Sequence, residues 1–540
     1  MTPEQAQKVA SEVAKRAIGE ATSAAGAAAG AAVNAITMRA KRGSFTFNPG
    51  KAIQKVAEGK ESFISHDTIE TMQEVMQVSG NKMLKGLAVL RAKTDVPIEH
   101  HAKATMERKN RLLKDYFTYE LMNFHENDPE PGKFKGKAPQ RVAAKHFVYT
   151  PSVDQFIEKI KYERNLQDRP DIIAKFGIDS GRSGNTPMLK LMMTLQRQSF
   201  RSPEKKKTRQ LKLLDAFKDD GVKRTFLIAV GVDVRESYVN VKAMLEFTGL
   251  SRFSAAFFAV DLKMSPIILG IQGSGSTYPC GYCHGNAKQG WPEIAPLRTL
   301  GSIRKNARMY ESLGNGDRSK LSNYFNCEFE PLVEGDDDVV VIEAFPPPEC
   351  HLFFGAVGHI LIGMLGKIRT QTLDEKLFDR IEAWLSRHGI ERKNYQDHGL
   401  LGNDANKLVE KADELIRMLP PVFQNFGIAL KKLGHVQDAC FGRILLGNAP
   451  TLIKDFEDVF RKLPITMSNK IHIICHDVPR FLSMTRTPLG LFNEQQFEAV
   501  HRDFGLKWLD YKTKVTSPSF EKHLLDCVVA YNSGHIGASQ

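Results

Sequence analysis

Cysteine is scarce and odd in number, with seven in 540 residues. That count argues against a disulfide framework and for a reducing compartment. Long apolar runs are missing as well. The uncharged run from Ala21 to Ile36 is short and weakly apolar, so no membrane span is expected. The first residues carry Glu4, Lys8, Glu12, Lys15 and Arg16 in place of an apolar core, so no secretory signal is expected either. Acid is in deficit: Asp+Glu number 62 against 75 Lys+Arg, a net charge of +13. The excess is spread along the chain, which by itself points only weakly to nucleic acid. A mean hydropathy of -0.31 fits a globular protein with a sizeable core.

What is present changes character along the chain. Residues 1–64 read as a short helix from Thr2 followed by a low-complexity tail that turns basic at Lys41, Arg42, Lys51 and Lys55. Residues 65–165 read as helical. Asp67 can cap a first helix, Ser79-Gly80-Asn81 breaks it, and Lys82 to Arg91 forms a second. That pair suits a DNA-binding helix-turn-helix, and equally any helical hairpin. A longer helix, His101 to Asn123, is basic on one face, a linker starts at Asp128, and Val153 to Arg164 is a further helix. Lys205-Lys206-Lys207-Thr208-Arg209 reads as a nuclear address or a solvated loop.

From Ile172 the pattern becomes that of a sheet. Ile172 to Asp179 reads as a strand ending in an acid, and Ser180 to Gly184 as a tight turn. Met188 to Leu195 reads as a strand pairing back, and Thr225 to Val230 as a third. A helix at Ser237 to Phe247 precedes a fourth strand, Phe257 to Val260, which delivers Asp261. This order predicts a ribonuclease-H-like core over 166–350, with the first strand beside the fourth, so that Asp179 and Asp261 meet. Asp336 to Glu343 reads as an acidic turn and a short strand. Residues 351–470 read as a large all-helical insertion, and 471–540 as the segment that returns to the core.

Two chemistries stand out. Asp179 and Asp261, with a glutamate from the helix Asn493 to Lys512, could hold two Mg²⁺ or Mn²⁺, because these hard ions take oxygen ligands. Each aspartate alone reads more often as a cap or turn residue; the order of the three acids is the more specific signal. Glu494 and Glu498 share one face of that helix with His501, and either could be the third ligand. Cys280 and Cys283 have C-x-x-C spacing, and His472 and His476 have H-x-x-x-H spacing. Two thiolates and two imidazoles would close a structural zinc site, with Cys475 and Asp477 as competing ligands. His351, after Pro346-Pro347-Pro348-Glu349-Cys350, is a packed residue or one that reaches the acids.

The wording GIDSGRSG, AVDLKMSPIILGIQG, PCGYCH, PPPECHL, KIHIICHDVP and LFNEQQFEAVHRDF resembles the DDE transposases of the Transib and Chapaev groups and the catalytic subunit of the V(D)J recombinase. The resemblance covers about residues 170–515 and is thin before them. It implies a cut-and-paste DDE transposase that nicks and joins double-stranded DNA, at transposon ends and target, as a homodimeric complex in the nucleus. It implies Asp179, Asp261 and Glu498 as the metal triad, His351 as an active-site histidine, and Cys280, Cys283, His472 and His476 as zinc ligands. An ungapped match puts Asp477, not His476, at the second histidine. The alternatives are a domesticated, non-catalytic DNA-binding or scaffold protein of the same fold, and a zinc-stabilised helical interaction protein.

Overall fold

The computed structural model describes residues 112–126, 141–169, 172–183, 185–197, 210–212 and 224–536, the last except 253–256, 293, 314–316, 372–373, 375, 392–399, 401, 493 and 512. The expected N-terminal tail and helix pair, the start of the helix from His101, the linker after Asp128 and the basic run at Lys205 lie outside these residues.

A mixed α/β architecture results, with a largely antiparallel central sheet among many helices. The sheet is built around one long hairpin. β3 (Ile172–Ser183) and β4 (Thr186–Arg197) pair antiparallel along their whole length, Asp179 opposite Lys190. β6 (Phe226–Val232) pairs with the outer edge of β4. The short β7 (Phe257–Phe258) lies parallel to β3 on the other side. The sheet order is therefore β1-β2-β6-β4-β3-β7, and the first expected strand does lie between the second and the fourth. Every residue of β6 is buried, as expected of a strand covered on both faces.

Two strands were not expected. β1 (Thr118–His125) and β2 (Val142–Tyr149) form a second hairpin that extends the sheet beyond β6. β1 corrects the reading of a helix to Asn123: its residues are held by a partner strand that arrives only after residue 141. The tight turn read at Ser180 is also corrected. β3 runs on to Ser183, with Ser180 and Gly181 paired to Leu189 and Met188, so Asp179 lies inside a strand and not at its end. The expected strand up to Glu343 makes one bridge, Thr299 to Val340. It then coils into a helical turn, Val341–Ala344, before the prolines.

Helices cover both faces. α1 (Val153–Glu163) starts on a Ser152 cap and seats Phe156 edge-on against Phe226 of β6. α2 (Tyr238–Phe247), capped by Ser237, covers Phe147 and Tyr149 of β2 with Phe247. α3 (Met264–Leu269) follows Asp261 and ends on Gly270, whose φ of 68° is the left-handed conformation that stops a helix.

The helical part contains α4 (Glu349–Gln371), α5 (Gln424–Val436) and α6 (Ala449–Phe460) among its helices. α4 is long and apolar enough to cross a membrane, but Leu352, Phe353, Ile360, Leu361 and Met364 are buried in the core. The part is not all helix. β8 (Ile444–Leu446) pairs antiparallel with β5 (Gln210–Lys212).

The chain returns to the sheet through α7 (Gln495–Tyr511) and α8 (Phe520–Ile536). The Asn532 amide of α8 donates to the carbonyl of Leu227 and accepts from its N–H, both at 2.8 Å. It does for β6 what one peptide of a neighbouring strand would do.

Candidate functional site: an acidic cleft beside a closed cysteine–histidine set

Gly177, Asp179 and Gly181 alternate along β3 and so point to one face. A Cβ at Gly177 would collide with the Phe497 ring, and one at Gly181 with the His501 ring. These two glycines let α7 lie directly on the strand, with Glu498 and His501 over Asp179. Asp261 comes from the other side. Its Oδ1 accepts from the Lys263 and Met264 N–H groups at 3.0 and 2.6 Å, which ties it to the start of α3. Asp179, Asp261, Glu494 and Glu498 line one small cleft together with Ile178, Ala259, Val260 and Phe497.

The two glutamates separate in role. Glu498 is half exposed, and one of its oxygens clusters with ligand atoms of Asp179 and His501 within 4.8 Å. Glu494 is buried, and its Oε1 lies 2.7 Å from His351 Nδ1. His351 Nε2 then lies 3.6 Å from Glu498 Oε1. His351 sits in the first turn of α4. Burial pulls its imidazole pKa down, and Glu494, Asp261 and Glu498 more than offset this, raising it to about 9.

The cleft is electrostatically crowded. Burial pushes the Asp261 carboxyl up, and Asp179 and Glu236 push it further against the opposing Met264 N–H and His351. Burial and then Asp179 raise Glu498 in the same way. Asp261 and Glu498, both raised by burial and by the charge of Asp179, belong to a donor set whose crowding a divalent cation would relieve.

Several residues near the cleft were not found in the sequence. Glu236 accepts from the Ser180 N–H at 3.0 Å and pairs with Lys263. Lys470 lies across Gly355, where any Cβ would collide with its chain. Its ammonium has no hydrogen-bond or ion-pair partner among the described residues. Burial lowers its pKa and the Asp261 charge raises it. Lys175 and Lys190 are fully buried on the α7 face of the hairpin. Charged residues inside otherwise apolar strand runs were the available signal for both.

The second set is closed. Cys280 Sγ lies 3.0 Å from Asp477 Oδ2, Cys283 Sγ lies 3.1 Å from His472 Nε2, and all four side chains are buried. Their ligand atoms lie within 4.8 Å of one another, so they could hold one metal ion. His472 Nδ1 and Asp477 Oδ1 are buried without a hydrogen bond. His476 is not part of the set; its Nε2 faces Glu457 at 3.5 Å.

The reason is local. Residues Ile473–Asp477 form a π-helical turn, which favours i+5 partners and carries Asp477 to the thiols, while the His476 ring lies 5.0 Å from that of His472 with its Nε2 turned to Glu457. The buried Arg298 braces the loop that carries the thiols. Its guanidinium donates to the carbonyls of Cys280, Cys283, Tyr278 and Phe325 at 3.0–3.2 Å. Trp291 stacks on His472 at 4.1 Å and 18°.

The chain matches no protein-family model and no curated protein.

Proposed function

We propose that the protein is a metal-dependent DNA-cleaving and strand-joining enzyme of the DDE transposase class, with a ribonuclease-H-like core. One observation carries the reading. Asp179 on β3, Asp261 beyond its parallel neighbour β7, and Glu498 on the helix across them converge on one cleft from distant parts of the chain. The strand order β6-β4-β3-β7 supports the fold assignment.

Asp179, Asp261 and Glu498 would hold two Mg²⁺ or Mn²⁺, which supply Lewis-acid activation of the nucleophile and stabilise the departing oxygen. In the first step water attacks the phosphorus, the bond to the 3′ oxygen breaks, and that oxygen leaves with a proton. In the second step the freed 3′-hydroxyl loses its proton and attacks the phosphorus of another phosphodiester, whose own 3′ oxygen leaves and takes up a proton. His351, kept cationic by Glu494, presents positive charge beside the acids. Lys470 supplies a second cation for the DNA backbone. Cys280, Cys283, His472 and Asp477 would hold a structural Zn²⁺, since the set is closed and leaves no open position. The partners of this reading are double-stranded DNA and a second copy of the chain, and its compartment is the nucleus.

The test is nicking and joining of pooled short duplexes in Mn²⁺. Wild type should produce both products. Asp261→Asn should lose them by at least about 10³-fold while melting temperature and zinc content stay unchanged. Equal activity in the two proteins would sink the proposal, and so would a wild type that binds duplexes but cuts none across the pool.

A further inference from the structure

Three side chains form a chain of hydrogen bonds behind the cleft. Lys190 stands directly opposite Asp179 on β4, so both point to the face that α7 covers. Its Nζ lies 2.9 Å from His501 Nδ1 and 3.4 Å from the Gly181 carbonyl. On the other side of the ring, His501 Nε2 lies 2.6 Å from Asp179 Oδ2. Lys190 is fully buried, yet a lysine ammonium in a protein interior is costly unless something needs it there.

An ammonium has only hydrogens to give. Facing Nδ1, it makes that nitrogen the acceptor, so the ring proton sits on Nε2 and is donated to Asp179. A histidine in that tautomer, with both nitrogens engaged, has no lone pair left for a metal. The ring is seated directly on Gly181, with no room for a side chain beneath it.

We infer that Lys190 and His501 are positioning residues. They fix the proton of His501 on Nε2, occupy one oxygen of Asp179, and leave the other to face the cleft. His501 is thereby excluded as a metal ligand, although its atoms lie among those of Asp179 and Glu498. Outer partners of this kind fix the orientation of a ligating group, and their loss typically costs about 10–100-fold in metal affinity. The purpose assigned to the relay rests on the two-metal reading above; the hydrogen-bond chain itself does not.

The experiment uses the full chain labelled with ¹⁵N-histidine, the His501→Gln variant serving to assign the His501 signals. Long-range ¹H–¹⁵N spectra of the metal-free protein should show the Nε2–H tautomer. Lys190→Met, which keeps the side-chain length, should mix the tautomers and weaken Mn²⁺ binding by about 10-fold in calorimetry. His501→Gln, whose amide can still donate to Asp179, should stay within about 3-fold of wild type. His501→Ala should match or exceed the Lys190→Met loss.

An Nδ1–H tautomer in wild type overturns the inference and leaves DNA cleavage as it was. A Lys190→Met protein with unchanged tautomer and affinity overturns it as well. Loss of Mn²⁺ in His501→Gln as complete as in His501→Ala would make the ring a direct ligand instead. A wild type with the Nε2–H tautomer that binds no Mn²⁺ removes the two-metal reading, and with it the relay's purpose.

Discussion

The acidic cleft and the cysteine–histidine set are both clusters of metal-ligating side chains, and they are built in opposite ways. The closed set is buried, its members already touch one another, and an arginine and a tryptophan brace it. The cleft is partly open, burial and the Asp179 charge raise the pKa of Asp261 and Glu498, and its bracing acts at one remove, through Glu494 on His351 and Lys190 on His501. A site that leaves no open position can hold structure but cannot turn over substrate. A site of crowded charge stores the repulsion that a bound cation would relieve.

The largest test of this contrast is to open the closed set. Asp477→Ala should lose bound zinc, measured by elemental analysis of the purified protein, and should lower the melting temperature by roughly 10 °C or more. His476→Ala should keep its zinc. The reverse result would restore the i, i+4 ligand pair and break the π-turn argument. A smaller effect is expected from the seat of α7. Gly181→Ala should cost about 1–3 kcal/mol in chemical denaturation. Unlike the zinc variants, it should also lower Mn²⁺ affinity, because His501 must move off Asp179.

The smallest effect concerns Lys175, at the far end of the same strand face. Burial lowers its pKa from 10.5 to about 7, against the raising effect of Glu349 and Glu494. Between those values the unfolded chain holds a proton that the folded chain does not, so stability should rise with pH across that window. Lys175→Met should flatten that slope in urea titrations between pH 7 and about 10. An unchanged slope would place the lysine's charge on a partner that holds it through folding.

The hairpin β3–β4, β6 and the convergence of Asp179, Asp261 and Glu498 on one cleft were legible because buried strands leave apolar runs and caps leave Ser and Asp at fixed offsets. What failed to read out depended on distant partners or on helix pitch. β1 looks helical by its own spacing and becomes a strand only through β2. His476 satisfied an α-helical spacing that the π-turn sets aside in favour of Asp477. Glu494 and Glu498 read as one helix face, but the helix starts only at Gln495, and Glu494 before it turns to His351 on α4. Arg298 reaches carbonyls 15 to 27 residues away along the chain and Lys190 a histidine 311 residues away, which no local pattern announces. α8, with the Asn532 that completes β6, was not assigned.

The contact between His501 and Asp179 spans 322 residues of chain. At synthesis rates of about 5–20 residues per second, the first acid of the cleft waits roughly 16–64 s for the helix that covers it. Until then a ribosome-bound chain carries Asp179 and Asp261 without Glu498, on a sheet whose β6 still lacks Asn532. Order of manufacture thus works as a safety catch in the proposed reading: the cleft is completed only once α7 has been made.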